Sequence, residues 1–362
     1  MKWFDTFASN TLGGTGNQLF FRDEAAAART GRIYYKIFCG GKFRYSLLFS
    51  NIIDSTYKVE SGSYCNFVCD EWEILKISVG RCKYVTPEMA GAVEDPVTLT
   101  FDGSPSKRVR PGEFFASDPV ELEFEKGDYL CYEIEFRGGM YPYHIESILP
   151  TFVYENGEWL PDKRVPAPGM IGCDRPVELR IGYFGDSITQ GIGTPPNAYT
   201  HWCALVSEAL GARCSYWNLG LGYGRGQDAA TGGAWFYKAC QCDALVVTFG
   251  ANDIGRVRTV EQMKTDFSTL IDRLKARGKK VFLQTVPPFD WKGDSFTSYA
   301  AINRYLVEEL AKKADGFLDV TPLLTDEARG PGMSKYGKHP DETGCRIWAD
   351  ALIPLMKEFI SK

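Results

Sequence analysis

The rhythm of hydrophobic and polar residues changes once along the chain. Over the first half the period is two. Val120, Leu122 and Phe124 alternate with Glu121, Glu123 and Glu125, and after Lys126-Gly127-Asp128 the residues Leu130, Tyr132, Ile134 and Phe136 alternate again. Two such runs around a Gly-Asp turn predict a hairpin with one buried face. Val97-Thr98-Leu99-Thr100-Phe101 predicts a strand stopped by Asp102-Gly103, and shorter β-rich runs lie at 34–38 and 45–49. Many short strands with polar turns point to an all-β sandwich, of the jelly-roll kind. No internal repeat of 20–50 residues is visible.

The segment 160–169 then brings three prolines in ten residues, Pro161, Pro166 and Pro168. Proline removes a backbone donor and disfavours helix before it, so a linker or extended crossover is expected here. The boundary is placed at 172, giving a β-sandwich domain over 1–172 and a second domain over 173–362. In the second, strands and helices alternate: a strand at 177–184, a helix at 198–210, and an apolar run at 243–249 of the kind a parallel strand buried on both faces shows. Thr259 and Gln262 form a capping-box pair, and Val260, Met263, Phe267, Leu270, Ile271 and Leu274 follow at helical spacing. A strand at 280–286 stops at Pro287-Pro288. A helix at 303–312, a short strand at 316–320 and a closing helix at 342–360, kinked at Pro354, complete the pattern. This is the signature of an α/β domain with a parallel sheet, whose ligands bind beyond the carboxyl ends of the strands.

Composition narrows the partners. The chain has 362 residues, a net charge of −5 and no block of like charge, which speaks against nucleic acid and anionic membranes. No run approaches the ~18 apolar residues of a membrane span. The polar start Met1-Lys2-Trp3-Phe4-Asp5 lacks the apolar region of a signal peptide, and the eleven cysteines are odd in number and scattered. A cytoplasmic protein with reduced thiols is the expectation. Metal binding would need clustered ligands, and the Cys65/Cys69 and Cys240/Cys242 pairs have no histidine beside them, so no metal is expected.

The candidate chemistry lies at the strand ends. Gly185-Asp186-Ser187-Ile188-Thr189-Gln190-Gly191 follows the first α/β strand and would hold Ser187 at the lip of the sheet. Serine needs a base to become a nucleophile. Three histidines are available: His144 in the β-rich half, His201 in the helix beside Trp202, and His339 in a loop behind the glycine-rich stretch 330–337, where a mobile base is well placed. Acyl transfer also needs donors for an oxyanion. Asn218-Leu219-Gly220-Leu221-Gly222-Tyr223-Gly224 and Gly250-Ala251-Asn252-Asp253 follow the next two strands and supply glycine N–H groups and asparagine amides. The first of these stretches lacks the spacing of a dinucleotide loop. Asp186 and Asp253 read as residues that hold loops. Tyr199, Trp202, Trp235 and Trp348 read as core, and Arg256 and Arg258 as a solvated pair within reach of a sugar or anionic substrate.

Taken in order, these stretches resemble the SGNH/GDSL hydrolases over residues 178–360. Ser187 matches the family's nucleophile, Gly220 its oxyanion glycine, Asn252 its oxyanion asparagine and His339, in His339-Pro340, its base. The resemblance implies a flavodoxin-like five-stranded parallel sheet between helices and ester hydrolysis through an acyl-serine, with no cofactor. One position departs. The family's aspartate three residues before the histidine is Tyr336 here, and no acid lies between Ala328 and His339. Either a Ser–His dyad is at work with a backbone carbonyl orienting the ring, or Asp341, Glu342 or Asp326 substitutes, or activity is lost. In the first half, Phe49-Ser50-Asn51, the stretch 99–106, Pro111-Gly112 and 117–120 resemble the jelly-roll domain of two-domain carbohydrate esterases. That layout implies a small-molecule or oligosaccharide ester as substrate, with acetyl the expected acyl group. A hydrolase of longer acyl esters or thioesters, and a glycan-binding protein with a silent hydrolase domain, are the alternatives.

Overall fold

The computed structural model describes residues 2–54, 65–255 and 258–361. Among the described residues the chain forms two compact units, the first running up to Val177 and the second from Glu178 onward, except that Ser215–Trp217 group with the first.

The first unit is built of antiparallel sheets. A seven-stranded sheet runs in the order Glu158–Pro161, Thr151–Glu155, Arg29–Lys36, Tyr129–Gly138, Trp72–Cys82, Glu94–Thr98, with Lys107–Val109 also paired to Trp72–Cys82. In a five-stranded sheet, Ala8–Ser9, Met170–Cys173 and Gly41–Ser50 lie in that order, and Phe114–Ala116 and Val120–Phe124 both pair with Gly41–Ser50. The sheets meet through buried aromatic side chains: the rings of Phe49 and Tyr132, one from each sheet, are 6.0 Å apart. This is a sandwich whose inner faces carry the period-two apolar positions. Only one helical turn, Trp3–Thr6, interrupts the β pattern of the unit among the described residues.

The hairpin expected from 120–136 does not form. Val120–Phe124 pairs with Gly41–Ser50, whereas Tyr129–Gly138 pairs with Arg29–Lys36 and Trp72–Cys82 in the other sheet. The turn is real, with Gly127 at φ 92 and the Asp128 carboxylate accepting from the Glu125 N–H at 2.9 Å, but it leads from one sheet to the other. Alternation fixes which face of a strand is buried. It does not fix the strand's partner.

The second unit carries five strands, β1 (Leu179–Gly185), β2 (Cys214–Asn218), β3 (Ala244–Thr248), β4 (Lys280–Gln284) and β5 (Gly316–Leu318), in the order 2-1-3-4-5. The pairings of β1 with β3, β3 with β4 and β4 with β5 are parallel, giving the expected flavodoxin-like sheet. β2 and β3 are buried throughout, as a strand covered on both faces must be. The principal helices are α1 (Ser187–Gln190), α2 (Trp202–Leu210), α3 (Gly226–Ala230), α4 (Ala234–Ala239), α5 (Ala251–Gly255), α6 (Val260–Ala276), α7 (Gly293–Glu308), α8 (Thr321–Leu324) and α9 (Glu342–Ser361).

Local chemistry accounts for the ends of these helices. Thr259 and Gln262 form the capping box ahead of α6: the threonine hydroxyl accepts from the Gln262 N–H, and the Gln262 side chain accepts from the Thr259 N–H at 3.0 Å. α2 begins at Trp202, four residues later than its periodicity suggests. Asn197 and Tyr199 stand at φ 63 and 57, a left-handed backbone that a right-handed helix cannot contain. His201 is therefore the residue before α2 and is fully buried. Trp202 on α2 stacks on Trp348 of α9 with ring centroids 5.0 Å apart, and both are fully buried along with Trp235. Tyr199 is only half-buried. Burying side chains of this size contributes about 1.5–3 kcal/mol each, which fixes the closing helix on the sheet.

Candidate active site

Backbone economy at the end of β1 sets Ser187 in place. A Cβ on Gly185 would lie 2.6 Å from the Thr248 carbonyl oxygen and collide with the Thr189 hydroxyl, so only glycine lets the chain turn here. Asp186 caps α1, its carboxylate accepting from the Ile188 N–H at 3.0 Å. α1 is a single turn, closed by Gly191 at φ 112, whose N–H donates to the Ser187 carbonyl. Ser187 stands at its first position, where the N–H has no acceptor within the helix; among the described residues it has none elsewhere. Its hydroxyl lies 2.9 Å from Nε2 of His339.

His339 reaches Ser187 from the loop between α8 and α9. Burial, assisted by Lys338 beside it in sequence, lowers its pKa below 6.5, so the neutral ring that can accept a proton is favoured near neutrality. The edge of the ring packs on Phe289, with centroids 5.1 Å apart. Underneath lies Gly193 at φ 108, where a Cβ would come 2.8 Å from the His339 Cβ and strike the Pro340 carbonyl.

No carboxylate hydrogen-bonds the His339 ring among the described residues, and the acids weighed as substitutes are engaged otherwise. Asp341 accepts from the Gly344 N–H at 2.8 Å at the start of α9, Asp326 from the Ala328 N–H at 3.1 Å, and Glu342 is exposed in the first turn of α9. Tyr336, at the family's aspartate position, is partly buried and donates its hydroxyl to the Pro288 carbonyl at 3.0 Å. Among the described residues no backbone carbonyl accepts from the second ring nitrogen either. The Phe289 ring is what lies against this imidazole.

The oxyanion donors divide. Gly220 does not offer an open N–H: it donates to Oδ1 of Asn218 at 2.9 Å, and the Gln190 backbone fills the space above its Cα. The reason is the side chain of Asn218, which turns back into the protein and donates to the Thr189 carbonyl at 3.2 Å, bracing α1 from β2. The Gly222 N–H is likewise taken, by Oε1 of Gln190 at 2.7 Å. Asn252, on the first turn of α5, donates one amide hydrogen to the Gly224 carbonyl at 3.0 Å and keeps a second. Asp253 accepts from the N–H groups of Gly226 and Gln227, joining α5 to the loop after β2. Burial pushes the Asp186 carboxyl up to about 7 and that of Asp253 up to about 6. Both hold loops, and neither contacts His339.

The bracing role of Asn218 and Gln190 was not apparent from the sequence. Both stand in the motif stretches, yet which way an amide faces depends on side-chain rotamers. Tyr223, at φ 60, also escapes sequence reasoning, since a non-glycine residue in that region is uncommon. Among the other candidates, His144 is buried in the first unit, and Arg258 is bound to Asp266 at 2.6 Å and so is not free for a ligand. Arg256 lies outside the described residues. All eleven cysteines are free thiols, and among the described residues no group of three or more His, Cys, Asp or Glu side chains is placed to hold a metal.

Residues 183–347 match the GDSL-like lipase/acylhydrolase family. Among solved structures, a member of the lipolytic protein G-D-S-L family from Veillonella parvula is similar at 18% identity over 49% of this chain and 98% of its own, with a TM-score of 0.42. An acetylxylan esterase from Geobacillus stearothermophilus, in a catalytic mutant form, is similar at 17% identity over 50% of this chain and 95% of its own, with a TM-score of 0.40. The psychrotrophic esterase EstA from Pseudoalteromonas sp. is similar at 14% identity over 51% of this chain and all of its own, also with a TM-score of 0.40. No curated protein matches the chain.

Proposed function

Residues 183–347 form a GDSL-like lipase/acylhydrolase domain and the chain is a carboxylic ester hydrolase; from that premise we propose that it works through a Ser187–His339 dyad on small acyl esters of carbohydrates. The 2.9 Å contact between Ser187 Oγ and His339 Nε2 is the observation that carries the reading. Ser187 Oγ attacks the ester carbonyl carbon while its proton passes to Nε2. The carbonyl electron pair moves onto oxygen, where the Ser187 N–H and the second Asn252 amide hydrogen stabilise it. When the tetrahedral intermediate collapses, the alcohol leaves with the proton from His339, and the acyl group stays on Ser187. A water molecule then attacks the acyl-serine, with His339 again taking the proton and returning it to Ser187.

The acetyl-carbohydrate substrate is the finer part of the proposal. Its support is the layout, an all-β sandwich unit preceding a GDSL-like domain, which resembles that of carbohydrate esterases. Such likeness informs on substrate less than the site does on chemistry. The test compares hydrolysis of p-nitrophenyl acetate and octanoate by the full chain and by Ser187→Ala, followed by acetate release from acetylated oligosaccharides. Rapid acetate cleavage, slow octanoate cleavage and an inactive variant are expected. Preference for octanoate would replace the small-acyl reading with that of a long-chain hydrolase. Equal activity in both proteins would remove Ser187 from the reaction, and glycan binding without turnover would identify a silent domain.

A further inference from the structure

The loop that delivers His339 is poor in residues that stiffen themselves. Gly330, Gly332 and Gly337 all lie in the left-handed region, at φ 108, 78 and 92, and glycine loses more freedom than any other residue when a chain is ordered. Yet the base needs a fixed position, and among the described residues no acid on its own ring supplies one. The loop is fastened instead at Ser334, which is fully buried. Its N–H donates to Oδ1 of Asp290 at 2.9 Å, and its carbonyl accepts from Nη1 of Arg329 at 2.9 Å. Arg329 closes the ring by donating from Nη2 to Oδ2 of Asp290 at 2.8 Å. The Ser334 hydroxyl lies 3.2 Å from Asp290 Oδ1, reaches the Gly337 carbonyl and accepts from the Tyr336 N–H at 3.3 Å.

The neighbours of Asp290 act on the same loop. The Pro288 carbonyl takes the Tyr336 hydroxyl, the Phe289 ring meets His339, and the Trp291 N–H donates to the Gly332 carbonyl at 3.0 Å. Asp290 itself stands at φ 57, an unfavourable backbone for a residue with a side chain.

We propose that Asp290 is the positioning residue of the base: its carboxylate, with Arg329, clamps Ser334 and thereby sets where His339 meets Ser187. The proposal rests on the reading of Ser187 and His339 as nucleophile and base. A carboxylate that in other serine hydrolases would touch the imidazole acts here one step removed, on the backbone that carries it. Bonds from a backbone N–H and a guanidinium to an ionised carboxylate are the stronger kind, suited to holding a flexible loop. Burial opposes ionisation of Asp290, but the Ser334 N–H and Arg329 outweigh it and hold the carboxyl below its ordinary range, so the clamp stays charged near neutrality.

The test uses full-length Asp290→Ala, Asp290→Asn, Ser334→Ala and Ser187→Ala on p-nitrophenyl acetate. Competent sites are counted by stoichiometric p-nitrophenol release from a p-nitrophenyl phosphonate. Asp290→Ala is expected to lower kcat per counted site by about 10²-fold while KM stays within about threefold, the size of loss a misplaced catalytic group brings. Asp290→Asn keeps an acceptor for the Ser334 N–H and should recover most of that loss. Ser334→Ala removes one hydroxyl and should lower kcat in the same direction. A purely structural role would reduce the number of counted sites and leave kcat per site unchanged, which would overturn the proposal. Failure of Asp290→Asn to recover activity would overturn it too. Should Asp290→Ala not fold, Arg329→Ala, which removes the bonds to the Ser334 carbonyl and to Asp290, takes its place, and an unchanged kcat per counted site in it decides against the clamp. Full activity in Ser187→Ala would instead overturn the nucleophile, and an inactive Ser187→Ala beside a fully active Asp290→Ala would overturn the clamp alone.

Discussion

Two residues of one amide type, Asn218 and Asn252, follow neighbouring strands and do different work. Asn218 spends its side chain inside the protein, on the Thr189 carbonyl and the Gly220 N–H, while Asn252 retains an uncommitted amide hydrogen at the strand ends. Asn252→Ala should therefore lower kcat by ~10²–10³, the usual loss for one oxyanion donor, with little change in melting temperature; steady-state kinetics beside calorimetry checks both. As the proposed base, His339 should set the pH response. Its pKa lies below 6.5, and the neutral ring is the active form, so kcat/KM should hold level through neutrality and fall only as pH drops through a value under 6.5. An acid limb centred above 6.5 in a pH–rate profile would contradict this. At this scale the sequence was readable for position, with Ser187 and Asn252 standing just after β1 and β3 and His339 in a loop, as expected. It misled at Gly220, because whether an N–H is open depends on where a neighbouring side chain turns.

Among the elements, the ones set by short-range chemistry were legible and the ones set by distant partners were not. The Thr259–Gln262 box, the buried run of β3 and the closing helix all stand where periodicity put them. The hairpin at 120–136 failed because strand partnership is a property of the sandwich. The early start expected for α2 failed because Asn197 and Tyr199 adopt left-handed backbone, which no residue pattern announces. The loop after α1 carries its own prediction. Gly193 lies against His339 and Pro340 at φ 108, so Gly193→Ala is strained twice, by its backbone and by its new methyl group. The variant should lower kcat by about 10²-fold through displacement of the base, more than it disturbs the fold; kinetics and circular dichroism measured together distinguish the two effects.

For the molecule as a whole, the order of strands explains where the site lies. In a 2-1-3-4-5 sheet the chain reverses direction across the sheet between β1 and β3, and a crevice opens there at the carboxyl ends. Ser187 follows β1 and Asn252 follows β3, one on each side of that crevice. The alternation of strand and helix made a parallel α/β sheet legible, while its flavodoxin-like arrangement was implied by the family resemblance and not by the alternation. The sheet is tied to the closing helix by a buried polar chain: Trp348 Nε1 donates to Gln284 Oε1 at 2.7 Å, and Gln284 Nε2 donates to Thr248 Oγ1 at 2.7 Å. Gln284→Leu would strand the indole N–H in the core and should cost about 1–3 kcal/mol, read from urea unfolding.

The bare imidazole also bears on which bonds this protein can break. In the proposed first step His339 becomes a cation, and among the described residues no carboxylate hydrogen-bonds its ring to stabilise that state. That cation is therefore costlier to form, so attack of Ser187, the step that forms it, is slowed unless an electron-withdrawing alcohol activates the ester carbonyl. Rates across a series of acetates should therefore climb steeply as the departing alcohol becomes more acidic, with aryl esters fastest, alkyl esters much slower and the matching amides left intact. Measured as a linear free-energy plot, that slope would report the character of the dyad directly, and a flat one would mean that the proton is better supported than the geometry allows.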